Sequence, residues 1–176
     1  MSQPEVAKTV TIIFDEPLSF NGATHAEVKL REPTVAEFSD ASTRQGYGST
    51  QHLLMLIGKL PAGIAAKVPM SKIVEADGFF AQFLRPALPS DVVTEPPHEG
   101  DAAIFASLDE KLREPTLAEW EAARDAGAGY LNTAKLASLV TGLPIEVMRR
   151  MPVSRAAAVD AYFAVFVTPA PATGQS

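Results

Sequence analysis

The chain has 176 residues, 47% of them hydrophobic, so we expect one ordinary domain or two small ones with a packed core. Its 15 basic and 21 acidic residues give a net charge of −6, which argues against nucleic-acid binding and against docking on anionic membranes, because both need clustered lysine and arginine. The absence of cysteine excludes disulfides, thiol catalysis and cysteine-ligated zinc.

The first predicted element is a β-hairpin. The β-branched stretch Thr9–Pro17 ends in a turn signal and predicts a strand. The stretch Thr24–Glu32 alternates apolar and polar residues and predicts the returning strand. Between them, Asn21 and Gly22 favour a two-residue turn, because both residue types tolerate a positive φ.

Short helices are predicted after the hairpin. Thr34 and Glu37 have the spacing of a capping box, in which the hydroxyl accepts a hydrogen bond from the third helical amide and the glutamate accepts one from the threonine amide. We therefore interpret this pair as structural caps rather than as catalytic residues. The further predicted helices lie over Ser49–Lys59, between Pro61 and Pro69, and after Ser71, which we expect to cap the last helix.

The sequence then repeats itself. The motif KLREPT occurs at Lys29–Thr34 and again at Lys111–Thr116, and nine of the thirteen residues that begin with this motif are identical in the two copies. After one extra residue in the second copy, residues 46–84 align with residues 129–167 at an offset of 83. We interpret this similarity as an internal duplication.

The duplication predicts an α+β, mainly helical fold with two tandem repeats, each a β-hairpin followed by three or four short helices. The predicted boundaries are 1–84 for the first repeat, 85–101 for a proline-rich linker and the start of the second leader, 102–167 for the second repeat, and 168–176 for a disordered tail. Because the second leader resembles a worn hairpin, we expect the second hairpin to be degenerate.

The second repeat carries matching helix signals. Thr116 and Glu119 repeat the spacing of the capping box. Gly142 precedes Leu-Pro and predicts a left-handed cap at the end of the helix over Asn132–Gly142. Ser154 corresponds to the predicted cap of the last helix in the first repeat, so we expect it to have the same role.

No sequence pattern indicates a catalytic, metal or cofactor site. The three histidines lie apart from one another and lack partners at metal-ligand spacing. The tripeptides GYG and GAG lack the lysine and the preceding strand of a phosphate loop, so we interpret them as turns between helices. We therefore expect no enzyme activity, no metal and no cofactor.

Asp77 and Asp160 occupy matching positions near the edge of an apolar helix face, where a carboxylate could act as a general base. No histidine or lysine matches them, so ion pairs with Arg31 and Arg113 are the simpler prediction. Such pairs would link each hairpin to the last helix of its repeat. The glutamate that follows each arginine is then expected to face solvent.

Targeting signals are also missing from the sequence. The first residues have no basic region followed by an apolar run, and no apolar run approaches the ~20 residues of a membrane span. We therefore expect a soluble, cytoplasmic protein.

The order of these motifs resembles the tail assembly chaperone family of tailed bacteriophages. The resemblance is carried by FDEPLSFNGATHAEVKLREPTVAEF (residues 14–38), by LLMLIGKLP and FFAQFLRP after it, and by LREPT and VTGLP in the second copy. It implies a chaperone that coats the helical tape-measure protein during tail morphogenesis in the cytoplasm of the bacterial host and is absent from the mature virion. The family is usually a single unit, whereas this chain carries two copies.

The resemblance implies the tape-measure protein as the partner, with the tail tube protein as a second candidate, and neither nucleic acid nor a membrane. A homo-oligomer is compatible with it. The alternative function is a structural tail adaptor that stays in the virion, and an unrecognised enzyme is a distant third. A binder of long apolar helices needs an apolar groove, since such helices aggregate when exposed.

The candidate partner-binding residues are apolar. Phe79 and Tyr162 lie to one side of the apolar face of the last helix, where they would contact the partner or, equally, the other repeat or another subunit. Methionine side chains adapt to the shape of a partner in binding grooves. The alternative interpretation of each candidate methionine is that it packs in the core. The candidate methionines are Met55, Met70, Met148 and Met151.

Overall fold

The structure is a computed structural model that describes residues 9–84, 98 and 100–167. Two antiparallel strands lead into a series of short helices, so the predicted mixed, mainly helical fold class is confirmed. The strands are β1 (Thr9–Phe20) and β2 (Ala23–Arg31). The helices are α1 (Val35–Ser42), α2 (Tyr47–Leu56), α3 (Ala62–Ala65), α4 (Met70–Ala81), α5 (Asp101–Ala106), α6 (Leu108–Lys111), α7 (Leu117–Ala123), α8 (Leu131–Thr141), α9 (Ile145–Arg149) and α10 (Val153–Val167), with a 3₁₀ turn (Gln82–Leu84) after α4.

The predicted hairpin is present. Its strands pair in antiparallel fashion around Asn21 and Gly22, whose φ angles are 49° and 80°. The register shifts between Ile13 and Leu18, which marks a bulge in the pairing. Below the bulge, one face of the hairpin contributes apolar residues to the first core, namely Ile12, Phe14, Val28 and Leu30.

The hairpin lies very close to the end of α2. A Cβ atom placed on Gly58 would lie 2.3 Å from Cγ2 of Val28 and 2.7 Å from the carbonyl oxygen of Leu54. Only a residue without a side chain fits between the helix and β2, so this glycine sets the distance between the two elements.

Two hydrophobic cores form, one for each half of the chain. Each core also contains one buried residue from the other half. Phe80 in the first core is 4% exposed and Phe163 in the second is 2% exposed, at positions that align in the sequence. Val153 of the second half belongs to the first core, and Val35 of the first half belongs to the second core. The duplication stays a prediction. It predicts that the two aligned phenylalanines are equally buried, and their exposures agree with it.

The second leader differs from the expectation. Where the described residues begin again, the chain forms α5 and α6 instead of a returning strand, so the prediction of a second hairpin is wrong for residues 101–111. Six of the eleven residues 101–111 are alanine, leucine, glutamate or lysine, which are strong helix formers. Most of the predicted linker and the whole of the predicted tail lie outside the described residues.

Two predicted caps also differ from the structure. Helix α4 begins at Met70 and α10 begins at Val153, so Ser71 and Ser154 lie inside the first turn and the prediction that they cap these helices is wrong. In contrast, Gly142 ends α8 with a φ of 72°, and its predicted left-handed cap is confirmed.

Candidate binding surface

The segment that joins β2 to α1, Arg31–Val35, is called the first hinge. The hydroxyl oxygen of Thr34 accepts a hydrogen bond from the amide of Glu37 at 3.3 Å, and the carboxylate of Glu37 accepts one from the amide of Thr34 at 2.9 Å. Arg31 donates two more hydrogen bonds to Glu37, at 2.7 and 2.9 Å. Burial raises the pKa of Glu37, but the hydrogen bonds from Arg31 and Thr34 outweigh it and hold the pKa below its usual value.

The segment Arg113–Leu117, called the second hinge, is built in the same way. The hydroxyl oxygen of Thr116 accepts a hydrogen bond from the amide of Glu119, and the carboxylate of Glu119 accepts one from the amide of Thr116. Arg113 donates to Glu119 at 2.6 and 3.0 Å. The hydrogen bond from Arg113, with those from Thr116, lowers the pKa of Glu119 to about 2.

The predicted pairs between arginines and aspartates are therefore wrong. Each arginine binds the glutamate of its own capping box, which lies six residues further along the chain. Asp77 instead accepts a hydrogen bond from the hydroxyl of Thr50 at 2.6 Å, and Asp160 accepts one from the hydroxyl of Thr133, also at 2.6 Å. These bonds fasten α4 to α2 and α10 to α8, which is a structural role.

The first hinge lies against the start of α10. The amide of Val35 donates to the carbonyl oxygen of Met151 at 2.9 Å, and the amide of Val153 donates to the carbonyl oxygen of Pro33 at 3.0 Å. These two bonds form an isolated antiparallel bridge between the halves, centred on Thr34. Because the side chain of Val35 enters the second core, the first hinge holds the two halves together.

A glutamate adds a charged contact to this junction. The carboxylate of Glu32 accepts a hydrogen bond from the amide of Ser154 at 2.5 Å, and Glu32 is 6% exposed. The expectation that this glutamate faces solvent is wrong, whereas Glu114 in the second hinge is exposed as expected. A carboxylate at the start of a helix stabilises it, since the first amides there lack partners within the helix.

A further ion pair that the sequence analysis missed anchors α5. Asp101 is 4% exposed and accepts hydrogen bonds from Arg150 at 2.7 and 2.9 Å. The hydrogen bond from Arg150 lowers the pKa of Asp101. The two residues lie 49 positions apart in the sequence, and no local pattern connects them.

The two aromatic residues predicted to bind a partner have different surroundings. Phe79 is 9% exposed, and its ring meets those of Phe80 and Phe83 edge to face. Tyr162 is half-buried and packs in the same way against Phe163 and Phe166. In this conformation Phe79 is a core residue, while Tyr162 keeps some surface for a contact.

The four methionines are divided between core and surface. Met148 and Met151 are fully buried in the second core, which fits the alternative interpretation that they are core residues. Met55 is half-buried against the first core. Met70, at the start of α4, is 58% exposed and is the one of the four whose side chain lies open at the surface.

A cleft of about 230 Å³ opens between α7, α8 and α10. None of the residues predicted to bind a partner lines it. Its apolar lining combines aromatic and aliphatic side chains from all three helices, namely Trp120, Ala123, Leu136 and Phe163. Its polar lining consists of Arg124, Asn132, Thr133 and Asp160. The sequence analysis did not single out Trp120, which is half-buried beside this cleft and belongs to a residue type that is enriched at binding sites.

The described residues 9–84, 98 and 100–167 contain no group of three or more histidine, cysteine, aspartate or glutamate side chains that could hold a metal ion. Within the same residues, no helix is both long and apolar enough to cross a membrane.

Comparison with known protein families identifies a match to the first half of the chain. A family model described as "Phage tail assembly chaperone proteins, E, or 41 or 14" matches residues 11–84, which cover the hairpin and the helices up to the 3₁₀ turn. No curated protein and no solved structure matches the chain significantly.

Proposed function

Because residues 11–84 belong to the phage tail assembly chaperone family, we propose that the chain binds apolar helical segments of the tape-measure protein of a tailed bacteriophage or prophage while the tail is assembled. The family match is the observation that carries this proposal. The chaperone acts in the cytoplasm of the bacterial host, has no catalytic role and is absent from the mature virion.

The cleft between α7, α8 and α10 is the surface that suits such a partner. A helix that docks into a groove inserts a few apolar side chains, and the lining of this cleft is apolar on the side of Trp120 and Phe163. Partly exposed tryptophans contribute strongly to binding when a partner covers them. Arg124 and Asp160 can pair with polar groups that flank the apolar positions of the bound helix.

The surface at the end of α10 extends this apolar region. Val165, Phe166 and Val167 are 70%, 40% and 53% exposed. Tyr162 packs against Phe166 and so connects this exposed end with the core beside the cleft. A helix longer than the cleft could therefore continue along α10.

The experiment is co-expression of the chain with the tape-measure protein encoded by the same phage. A soluble complex is expected, and the tape-measure protein alone is expected to aggregate because its apolar helices are then exposed. Trp120→Ala should lower the soluble yield of the tape-measure protein toward the yield obtained without the chaperone. The matched control is Ile13→Ala, which truncates a 63% exposed side chain on the hairpin, away from the cleft.

Thermal unfolding of both variants checks that each still folds. If the tape-measure protein is equally soluble alone and no complex is recovered, the proposal is wrong. Mass spectrometry of purified virions distinguishes the alternative, because a structural adaptor would be present in the particle and a chaperone would not.

A further inference from the structure

The lining of the cleft between α7, α8 and α10 includes one carboxylate, that of Asp160. Asp160 is exposed, and its Oδ1 atom accepts a hydrogen bond from the hydroxyl of the buried Thr133 at 2.6 Å. Within the described residues, no lysine, arginine or histidine forms an ion pair with Asp160. A negative charge therefore lies beside an apolar lining without a cation from the described part of the chain to pair with it.

The hydrogen bond from Thr133 holds this carboxylate in place. Thr133 lies on α8 and Asp160 on α10, so the bond connects two of the three helices that line the cleft. A hydroxyl donor uses one acceptor site, and an ionised carboxylate has about four of them. Asp160 can therefore accept a hydrogen bond from a partner without losing the one from Thr133.

The other charged residue of the lining, Arg124, is placed where the chain itself favours its charge. Arg124 is the C-terminal cap residue of α7, and the carbonyl groups at the end of a helix favour a nearby cation. Asp160 lies in the middle of α10, far from the end of the helix that favours an anion. The charge that a partner has to match is therefore that of Asp160.

The position of Asp160 relates its charge to the apolar lining. Asp160 and Phe163 are three residues apart on α10, so their side chains are neighbours on one face of the helix. Phe163 and the half-buried Trp120 belong to the apolar part of the lining. A helix that places an apolar side chain against these two rings therefore brings its own residues three or four positions away close to Asp160.

The charge of the whole chain acts in the same direction. The net charge is −6, so the chain attracts basic segments and repels acidic ones before contact is made. Complementary charges at an interface fix the register of a bound helix, and like charges placed opposite each other exclude wrong partners. A basic residue on the docked helix satisfies both conditions.

From these observations we propose that Asp160 determines which helical segment binds in the cleft. The segment carries a lysine or arginine three or four positions from the apolar residue that contacts Trp120 and Phe163, and this basic side chain donates a hydrogen bond to the carboxylate of Asp160. The inference rests on the proposed function, because the tape-measure protein supplies the segment. It adds the charge pattern of that segment and the residue that recognises it.

The experiment measures the binding of fluorescently labelled, overlapping synthetic peptides that cover the tape-measure protein of the same phage. Peptides that bind the wild-type chain should contain the pattern of one apolar and one basic residue. Replacing the basic residue with glutamine should weaken binding about fivefold, which is the upper end of what an exposed ion pair contributes. This change is made in the peptide, so it does not depend on how a variant of the chain folds.

The reciprocal variant is Asp160→Asn, whose amide oxygen can still accept the hydrogen bond from Thr133. It should bind the original peptide about fivefold more weakly than the wild type does. It should not distinguish the original peptide from the glutamine peptide, because the ion pair is already absent. Asp160→Lys should bind a peptide with glutamate at the basic position more tightly than it binds the original peptide. Thermal unfolding establishes that both variants are folded.

The matched control is Asp77→Asn. Asp77 is exposed, accepts the same kind of hydrogen bond from Thr50 at 2.6 Å and lies outside the lining of the cleft. This variant changes the net charge by the same amount as Asp160→Asn and should bind the peptides as the wild type does.

The possible results separate this inference from the proposed function. If peptides bind the wild type and Asp160→Asn equally well, or bind equally well with glutamine at the basic position, the role of Asp160 is wrong while the proposed function stands. Equal weakening in Asp77→Asn and Asp160→Asn also overturns the inference, because the overall charge then attracts the peptide. If no peptide binds the wild type, the proposed function and this inference are both wrong.

Discussion

The carboxylate of Glu32 accepts a hydrogen bond from the backbone amide of Ser154, which lies 122 residues further along the chain. Glu32 directly follows the hairpin of the first half, and Ser154 lies in the first turn of the last helix of the second half. The bond stabilises the start of α10 and the junction between the halves at the same time. One buried carboxylate therefore contributes, together with the backbone bridge beside it, to the junction where the two cores meet.

Replacing Glu32 with alanine should lower the free energy of unfolding by about 1–3 kcal/mol, because the buried amide of Ser154 loses its partner. The control is Glu114→Ala at the aligned, exposed position, which should change stability by less than about 0.5 kcal/mol. Urea unfolding of both variants, at concentrations where the chain is monomeric, measures the difference. Equal losses in the two variants would contradict this role of Glu32.

The elements that the sequence predicts well are those whose signals lie within a few residues. The hairpin turn at Asn21 and Gly22 and the left-handed end of α8 at Gly142 depend on local backbone preferences. The capping boxes require only the spacing of threonine and glutamate, and both form. The sequence also contained a missed signal, since Thr50 and Asp77 recur at the same separation as Thr133 and Asp160.

The contacts that the sequence does not predict join distant segments. The pairing of Glu32 with Ser154 and of Asp101 with Arg150 depends on how helices pack, and no periodicity encodes it. Each arginine was paired with the wrong acid because a glutamate that already caps a helix can still accept hydrogen bonds from a guanidinium, which the spacing of the sequence does not reveal. The half-exposed Trp120 is a candidate for partner binding because of the cleft beside it, and that cleft depends on how three helices pack.

The bond between Thr50 and Asp77 and the bond between Thr133 and Asp160 should contribute similar amounts to stability. Both threonines are buried, both distances are 2.6 Å, and both aspartates are exposed, so water compensates part of each loss. A double-mutant cycle with threonine to valine and aspartate to alanine, which removes the acceptor, should give a coupling energy of about 1 kcal/mol in each half. Coupling in one half without the other would show that the two bonds are not equivalent.

Lys59, which lies three residues after the end of α2, aligns with Gly142, which caps α8, and both have a positive φ, at 55° and 72°. Glycine adopts this conformation without strain, whereas lysine does not. Lys59→Gly should therefore raise the free energy of unfolding by about 1 kcal/mol, and Gly142→Lys should lower it by about the same amount. Urea unfolding compares the two exchanges, and a change of the same sign in both variants would contradict the explanation.

The second hinge should lose stability in acid. The hydrogen bond from Arg113, with those from Thr116, lowers the pKa of Glu119 from 4.5 to about 2 in the folded chain. A carboxylate whose pKa is lower when folded stabilises the protein above its unfolded pKa, and this contribution disappears as the pH falls from about 4.5 toward 2. Glu37 in the first hinge has a lowered pKa as well, so its contribution is lost in the same direction.

Glu119→Gln should therefore lower the thermal midpoint at pH 7 and make the midpoint less dependent on pH below about 4.5, since the amide does not titrate. The control is Glu121→Gln, an exposed carboxylate on the same helix, which should keep the acid dependence of the wild type. The measurement is the midpoint of thermal unfolding at a series of pH values between 7 and 2. If Glu119→Gln loses as much stability in acid as the wild type does, the ion pair with Arg113 does not stabilise the second hinge in solution.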